Sequence, residues 1–164
     1  MIWLVLIYIA AMVAANLLVW WLGPWSSPFI AFTLIGLDLT LRDVLHGRLH
    51  RSQLAAVVFA GGLITLLVNP AAEAIAVASS IAFVASALAD WAVFSALHRR
   101  PWLTRVNGSN AVGALVDSII FPTLAFGAFL PHIIVLQFIA KTLGGALWSL
   151  ALHSILLAAR IRRS

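Results

Sequence analysis

The sequence has no cysteine and few charged residues, and each shortage excludes a class of protein. Without cysteine, disulfide bonds and thiolate metal sites are excluded. Only 9% of the 164 residues are charged, against about 25% in ordinary soluble domains, and 63% are hydrophobic. A soluble domain of this length cannot bury so much apolar surface in one core. The composition therefore predicts an all-α, polytopic membrane protein that lies in a lipid bilayer.

Short polar or proline-containing connections divide the apolar sequence into six segments. We expect a single domain, a compact bundle of six transmembrane helices. The first segment lacks the basic start of a secretion signal, so we expect it to stay as a membrane helix. A polar turn at residues 107–110 is predicted to precede the fifth helix. The predicted spans are residues 2–22, 28–45, 53–68, 71–98, 109–130 and 132–159.

The basic residues are distributed unevenly among the connections. Nine of the ten lysines and arginines follow the second, fourth and sixth spans when Arg42 is included, and none follows the other three. Cytoplasmic loops of membrane proteins carry this excess of positive charge. The pattern predicts that both termini are cytoplasmic and that the protein lies in the cell membrane. It also accounts for the net charge of +5 without a nucleic-acid partner.

Several charged side chains fall inside the predicted spans, where they are costly unless they find partners. Asp38 and Arg42 are four residues apart on one helix, so they are predicted to form a structural ion pair. Asp90, Asp117 and Lys141 lie on three different spans and have no such local partner. We expect these three to contact one another, or water, in the interior of the bundle, either to bind a ligand or only to hold helices together.

Each of the last three spans has a stripe that combines hydrogen-bonding groups with aromatic rings. Such a composition suits a pocket for a flat, polar ligand, whose faces contact rings and whose edge contacts an acid and an amide. The stripes consist of Ser79, Phe83, Ser86 and Asp90 in the fourth span, Asn110, Gly113, Asp117 and Phe121 in the fifth, and Gln137, Lys141, Gly144 and Trp148 in the sixth.

The sequence contains none of the motifs for intramembrane proteolysis, zinc-dependent hydrolysis or ATP binding that we sought. No set of nucleophile, base and orienting residue can be recognised either. We therefore expect no enzymatic activity, no metal and no cofactor.

The polar positions of the spans resemble those of the VUT family, the queuosine-precursor transporters, over nearly the whole chain. The resemblance implies import of 7-cyano- or 7-aminomethyl-7-deazaguanine for salvage into tRNA queuosine. The pattern in the fifth span is the most specific part of it. The matching residues are Ala15-Asn16, Leu41-Arg42-Asp43, residues 78–83 leading to Asp90, Ser109-Asn110 with Gly113, Asp117, Ser118 and Phe121, residues 125–127, and Gln137, Lys141 and Gly144.

This resemblance also implies roles for individual residues. Asp117 is expected to accept the two adjacent donors of the deazaguanine edge, and Lys141 to neutralise Asp117 until the ligand displaces it. The amides of Gln137 and of Asn110 or Asn16 are expected to contact the rest of the edge. The remaining candidates are Phe83, Phe121 and Trp148, which would stack on the ring, and Asp90.

The family is similar in fold to the substrate-binding subunits of energy-coupling-factor vitamin transporters. That similarity implies a possible coupling subunit at the two Ala-x-x-x-Ala patterns of the first span, Ala10 with Ala14 and Ala11 with Ala15. Two alternatives stay open. The chain is a substrate-binding subunit for another vitamin, driven by an ATP-dependent partner, or it is a membrane protein that transports nothing and whose buried charges only stabilise the bundle.

Overall fold

The computed structural model of the chain describes residues 2–38, 41, 45 and 49–161, and the regular structure of these residues is all helical. Six helices follow one another, as predicted for this part of the chain. They are α1 (Ile2–Leu22), α2, α3 (Arg51–Val68), α4 (Glu73–Ala96), α5 (Trp102–Phe126) and α6 (Pro131–Ile161). The first turn of α2 is Ser27–Ile30.

Three stretches of the described chain are long and apolar enough to cross a membrane. They are Ile2–Leu22, Pro70–Ala96 and Gly108–Phe126, and a shorter apolar stretch covers Ser52–Val68. The outer surface is apolar, with large side chains such as Trp21, Leu67 and Leu150 exposed, whereas the interior holds polar ones. This is the arrangement expected for a bundle whose outside contacts lipid and whose polar groups must find partners inside.

Prolines, asparagine and glycine mark the ends of the helices. The Asn69 side chain accepts a hydrogen bond from the backbone nitrogen of Ala71 at 3.1 Å, and Pro70 follows it in the first turn before α4. Asn69 is thus the cap of this first turn, and Pro70 stands where a backbone N–H would have no helical partner. Gly127 ends α5 in a left-handed conformation with φ of 64°, which glycine adopts without steric strain.

The predicted polar turn at residues 107–110 is wrong, because α5 already begins at Trp102. Pro101 makes the break instead, with an extended backbone at ψ of 148°. Asparagine, glycine and serine disfavour a helix by only about 0.5–1 kcal/mol each, and packing overrides such preferences. Here Ser109 and Gly113 are buried in the helix bundle. The helix also ends earlier than predicted, at Phe126.

Helix α2 contains a π-helical segment, Ala31–Ile35, after its first turn. Where it leaves this segment, α2 crosses α6 with almost no space between the backbones. A Cβ on Gly36 would lie 2.7 Å from the carbonyl carbon of Gly144, and a Cβ on Gly144 would collide with the carbonyl oxygen of Phe32. Trp148 Nε1 donates a hydrogen bond to the Thr33 carbonyl oxygen at 2.8 Å beside this crossing. The register of α2 against α6 is therefore well determined.

Two apolar clusters contact opposite halves of α1. The first contains Tyr8 and Met12 from α1 with Val58 from α3, and Phe83 packs against it. The second contains Ala15 and Val19 from α1 with Ile30 from α2 and Ile75 from α4, and Phe121 packs against that one. The polar side chains described next lie between and beside these clusters.

Candidate functional site

A cavity of about 60 Å³ lies among α1, α2, α4, α5 and α6. Along α1 it extends from Tyr8 to Val19, which is about 16 Å of helix. Its volume has room for a few water molecules, so a two-ring ligand would need the walls to move apart. The lining residues are Tyr8, Met12, Ala15, Asn16, Val19, Ser27, Ile30, Ala31, Ile35, Asp38, Ser79, Phe83, Asp117, Phe121, Gln137 and Lys141.

Lys141 is the centre of the polar part of the cavity. Only 3% of its side chain is exposed, and its ammonium nitrogen has three oxygen acceptors: Asp117 Oδ2 at 2.6 Å, Gln137 Oε1 at 2.9 Å and Ser118 Oγ at 3.4 Å. A lysine has three donors, so each has an acceptor here. The Phe121 ring lies 6.0 Å from the same nitrogen, at the limit of a cation–π contact. The predicted pairing of Asp117 with Lys141 is confirmed.

Asp117 differs from Lys141 in being open to the cavity. A quarter of its side chain is exposed, at 25%, and it lines the cavity wall. Lys141 is the single hydrogen-bond donor to its carboxylate among the residues that the structure describes. A carboxylate has two oxygens and about four acceptor positions, so Asp117 keeps acceptor capacity on its cavity side.

Gln137 connects this centre to the start of α2. Its Oε1 accepts from Lys141, and its Nε2 donates to Ser27 Oγ at 2.9 Å. Ser27 Oγ in turn donates to the carbonyl oxygen of Pro24 at 2.8 Å. Gln137 and Ser27 are both almost completely buried. The chain of hydrogen bonds thus fixes the Gln137 amide with its oxygen towards Lys141.

The other wall residues that the sequence predicted supply an amide and two rings. Asn16 lines the cavity from α1, and its Nδ2 donates to Thr65 Oγ1 of α3 at 3.3 Å. Phe121 and Phe83 line it from α5 and α4. Phe121 also contacts Phe126 edge to face, with ring centroids 6.2 Å apart. Six of the nine predicted ligand-binding residues therefore border one cavity.

The other three predicted residues lie elsewhere. Asn110 is exposed, and Trp148 is occupied with the Thr33 carbonyl at the crossing of α2 and α6. Asp90 lies where α4 packs on α5, since a Cβ on Gly113 would be 3.4 Å from its Cβ. Its Oδ1 is buried and has no hydrogen-bond partner among the described residues. None of these three side chains lines the cavity.

Asp38 borders the cavity, a position that the sequence did not predict for it. Its side chain is 8% exposed and lies in the wall contributed by α2. The predicted partner, Arg42, is outside the described residues, so the Asp38–Arg42 pair stays a prediction. The pairing was inferred from spacing along one helix, and such spacing says nothing about what lies across the bundle.

The four alanines of α1 divide into two faces. Ala11 and Ala15 are buried, and Ala15 lines the cavity, so this pair belongs to the interior. Ala10 is exposed and Ala14 is partly exposed, so these two lie on the outer face of the bundle. Of the two Ala-x-x-x-Ala patterns, the one formed by Ala10 and Ala14 is accessible to another membrane protein.

The structure also adds lining residues that the sequence analysis missed. Tyr8, Met12, Ala15 and Val19 lie at helical spacing on one face of α1, a periodicity that was visible but hidden by the apolar character of the whole helix. Ser27 is the first residue of α2, and its hydroxyl accepts a hydrogen bond from Gln137 in the cavity wall. No group of three or more metal-binding side chains occurs in the described part of the chain.

A family model described as "Putative vitamin uptake transporter" matches residues 1–154, nearly the whole chain. No curated protein and no solved structure matches the chain.

Proposed function

The chain belongs to the vitamin uptake transporter family, and from this premise we propose that it imports a 7-deazaguanine precursor of queuosine, either the 7-cyano or the 7-aminomethyl form. Family membership and the apolar helices make it a multi-pass membrane transporter rather than an enzyme.

The Asp117–Lys141 pair inside the cavity is the observation that carries the proposal. A pair in a bundle that only joins two helices needs no access to a cavity, whereas Asp117 lines one and a quarter of its side chain is exposed. Buried ion pairs are poor sources of stability, because removing both charges from water offsets most of their attraction. A ligand that replaces Lys141 in this pair binds a carboxylate, that of Asp117, which already lies in the cavity wall.

The deazaguanine edge has the donors that this carboxylate needs. It presents two adjacent N–H groups, and one carboxylate accepts both in a bidentate arrangement. In our proposal these donors take the place of Lys141 on Asp117. The lysine keeps Gln137 Oε1 and Ser118 Oγ as acceptors, at 2.9 and 3.4 Å, so its ammonium is not left alone.

Two rings and an amide support the same ligand. Phe121 and Phe83 line the cavity from neighbouring helices and are the candidates for stacking on the two-ring system. Asn16 on α1 lies in the wall with a side-chain oxygen that no hydrogen bond in the described structure uses. A flat ligand with polar edges fits this set of groups better than a flexible or wholly apolar one.

We further propose that both termini face the cytoplasm of the cell. The support is the distribution of arginines after α2, α4 and α6. A fluorescent protein that folds only in the cytoplasm, fused after Ser164, should fluoresce. A dark fusion that is nevertheless inserted in the membrane would reverse the orientation.

The test of the substrate uses a strain that cannot make queuosine precursors. Each deazaguanine is supplied separately, and queuosine in tRNA is measured. The wild-type chain should restore the modification, and Asp117→Asn should abolish it, because an amide cannot accept both donors. Glu73→Gln is the matched control, since Glu73 is an exposed acid at the start of α4, outside the cavity.

Two results would count against the proposal. Full restoration by Asp117→Asn at matched expression would remove Asp117 from the site. No restoration by the wild-type chain with either compound would favour the other transport hypothesis, a binding subunit for a different vitamin. In that case the outer face of Ala10 and Ala14 is where an energy-coupling subunit would dock.

A further inference from the structure

We propose that Ser27 is a positioning residue for ligand binding. Through the Gln137 amide it keeps an acceptor directed at Lys141, which the lysine needs once a ligand has taken its place on Asp117. This inference rests on the proposed function, and it gives the turn between α1 and α2 a part in setting the affinity of the cavity. The direction of one chain of hydrogen bonds supports it.

This chain of hydrogen bonds can run in only one direction. Its last group is the carbonyl oxygen of Pro24, which can only accept, so the hydroxyl of Ser27 donates its single hydrogen there, at 2.8 Å. Ser27 Oγ can then only accept from Gln137, whose Nε2 lies 2.9 Å away. The other end of the amide, Oε1, is thereby directed at Lys141 Nζ, also at 2.9 Å. In a reversed amide, two acceptors would face each other at Ser27 and two donors at Lys141.

Burial makes the loss of any of these partners costly. Ser27, Gln137 and Lys141 are all almost completely buried, so bulk water cannot replace a missing partner. Among the described residues, Ser27 is the one hydrogen-bond acceptor of Gln137 Nε2. Without the serine hydroxyl, the amide either leaves a buried N–H group unpaired or turns that group towards the ammonium of Lys141.

The orientation of the amide matters more with a ligand bound than without one. In the empty site Lys141 donates to Asp117 at 2.6 Å as well as to Gln137 and Ser118. In the proposed complex the ligand occupies Asp117, and Gln137 Oε1 becomes the nearest acceptor of the ammonium. Losing the oriented amide therefore raises the free energy of the complex more than that of the empty protein. Such a difference between the two states is what changes an affinity.

The turn that leads into Ser27 has a second contact with α6. Trp25 stacks on His132, with ring centroids 4.8 Å apart and an angle of 29° between the ring planes. His132 lies in the first turn of α6, on the same helix as Gln137. The position of the turn against α6 therefore does not depend on the serine hydroxyl alone. We expect Ser27→Ala to remove the acceptor of the amide without releasing the turn.

Ser26 supplies a matched control in the same turn. Its hydroxyl donates to the carbonyl oxygen of Gly23 at 2.7 Å, just as the hydroxyl of Ser27 donates to that of Pro24. Ser26 is not among the described residues that line the cavity, and its hydroxyl bond stays within the turn. Ser26→Ala therefore removes a hydrogen bond of the same kind and leaves the acceptor of Gln137 in place.

Equilibrium dialysis of the purified proteins with 7-cyano- and 7-aminomethyl-7-deazaguanine measures the dissociation constant and the number of sites per protein molecule. For any compound that the wild-type chain binds, Ser27→Ala should raise the dissociation constant about tenfold and leave the number of sites unchanged. Ser26→Ala should change neither. A merely structural role of Ser27 would lower the number of sites, because fewer molecules fold, and would leave the dissociation constant at its wild-type value. That result would overturn the inference.

A second background tests whether Ser27 acts through Gln137. Gln137→Met keeps the length of the side chain but has no amide, so adding Ser27→Ala to it should cause no further loss of affinity. The same tenfold loss in both backgrounds would show that Ser27 acts by another route and would overturn the inference. Wild-type binding that Ser27→Ala leaves unchanged would overturn this inference alone. Binding of neither compound by the wild-type chain would instead contradict the proposed function, and this inference with it.

Discussion

Asp117 and Asp90 are aspartates on neighbouring helices, α5 and α4, and their surroundings differ completely. Asp117 faces a cavity and holds the ammonium of Lys141 at 2.6 Å. Asp90 lies against α5 near Gly113, and its buried Oδ1 has no partner in the described part of the chain. The first is part of a polar network that spans several helices, and the second is at a tight helix contact.

The comparison shows that an acid in a membrane helix acquires its role from the groups that converge on it. Both acids were predicted to lie in the interior, and both were candidates for binding a ligand. Asp117 accepts from Lys141, and the ammonium of Lys141 also donates to Gln137 and Ser118. Asp90 has glycine and serine neighbours, which allow the helices to approach closely.

Replacing each aspartate by asparagine tests whether the two acids differ in their contribution to stability. Asp117→Asn leaves Lys141 buried without a counter-charge, so we expect the free energy of unfolding to fall by about 3 kcal/mol. Asp90→Asn removes a carboxylate whose buried oxygen has no partner, so we expect a change within about 1 kcal/mol. Unfolding in mixed detergent, followed by helical content, measures both.

A double variant tests whether the loss of stability in Asp117→Asn comes from the unpaired charge of Lys141. Asp117→Asn combined with Lys141→Gln removes both charges, so it should be more stable than Asp117→Asn alone. A double variant as unstable as the sum of the two single variants would show that the two side chains act independently. Equal losses for Asp117→Asn and Asp90→Asn would end the distinction between the two acids.

A smaller effect is expected from glycine substitutions near Asp90. A Cβ on Gly113 would lie 3.3 Å from Ser86 Oγ and 3.4 Å from Asp90 Cβ, whereas a Cβ on Gly145 of α6 would meet no atom within 4 Å. We expect Gly113→Ala to be less stable than Gly145→Ala by about 1 kcal/mol. Thermal unfolding of the two proteins in detergent gives the difference. Equal stabilities would mean that α4 and α5 are less tightly packed here than the structure indicates.

The sequence predicted the helices well where their residues have strong preferences and poorly where the preferences are weak. Apolar segments of membrane-spanning length predict helices reliably, because the bilayer allows the backbone few alternatives. The start of α5 was predicted wrongly, because Asn107, Gly108 and Ser109 have weak preferences that packing against α4 overrides. The π-helical segment Ala31–Ile35 left no recognisable pattern in the sequence.

The sequence predicted those residues of the candidate site whose charge has no partner on the same helix. Asp117 and Lys141 had no partners on their own helices, so the cost of burying them predicted that they would meet. Asp38 has an arginine four residues away, so it was assigned to a local ion pair and was not included among the predicted cavity residues that it in fact joins. Asn110 and Trp148 were selected by helical periodicity, which cannot distinguish the cavity from other surfaces when a helix is apolar nearly all round.

Binding of the two deazaguanines to the purified protein in detergent tests the central claim most directly. Equilibrium dialysis would compare the wild-type chain, Asp117→Asn and Glu73→Gln. We predict that the wild-type and Glu73→Gln proteins bind at least one of the compounds and that Asp117→Asn weakens the binding about 100-fold or more, because two charge-assisted hydrogen bonds are lost. Equal affinity of wild type and Asp117→Asn, or no binding by any of the three folded proteins, would contradict the assignment of this cavity as the precursor site.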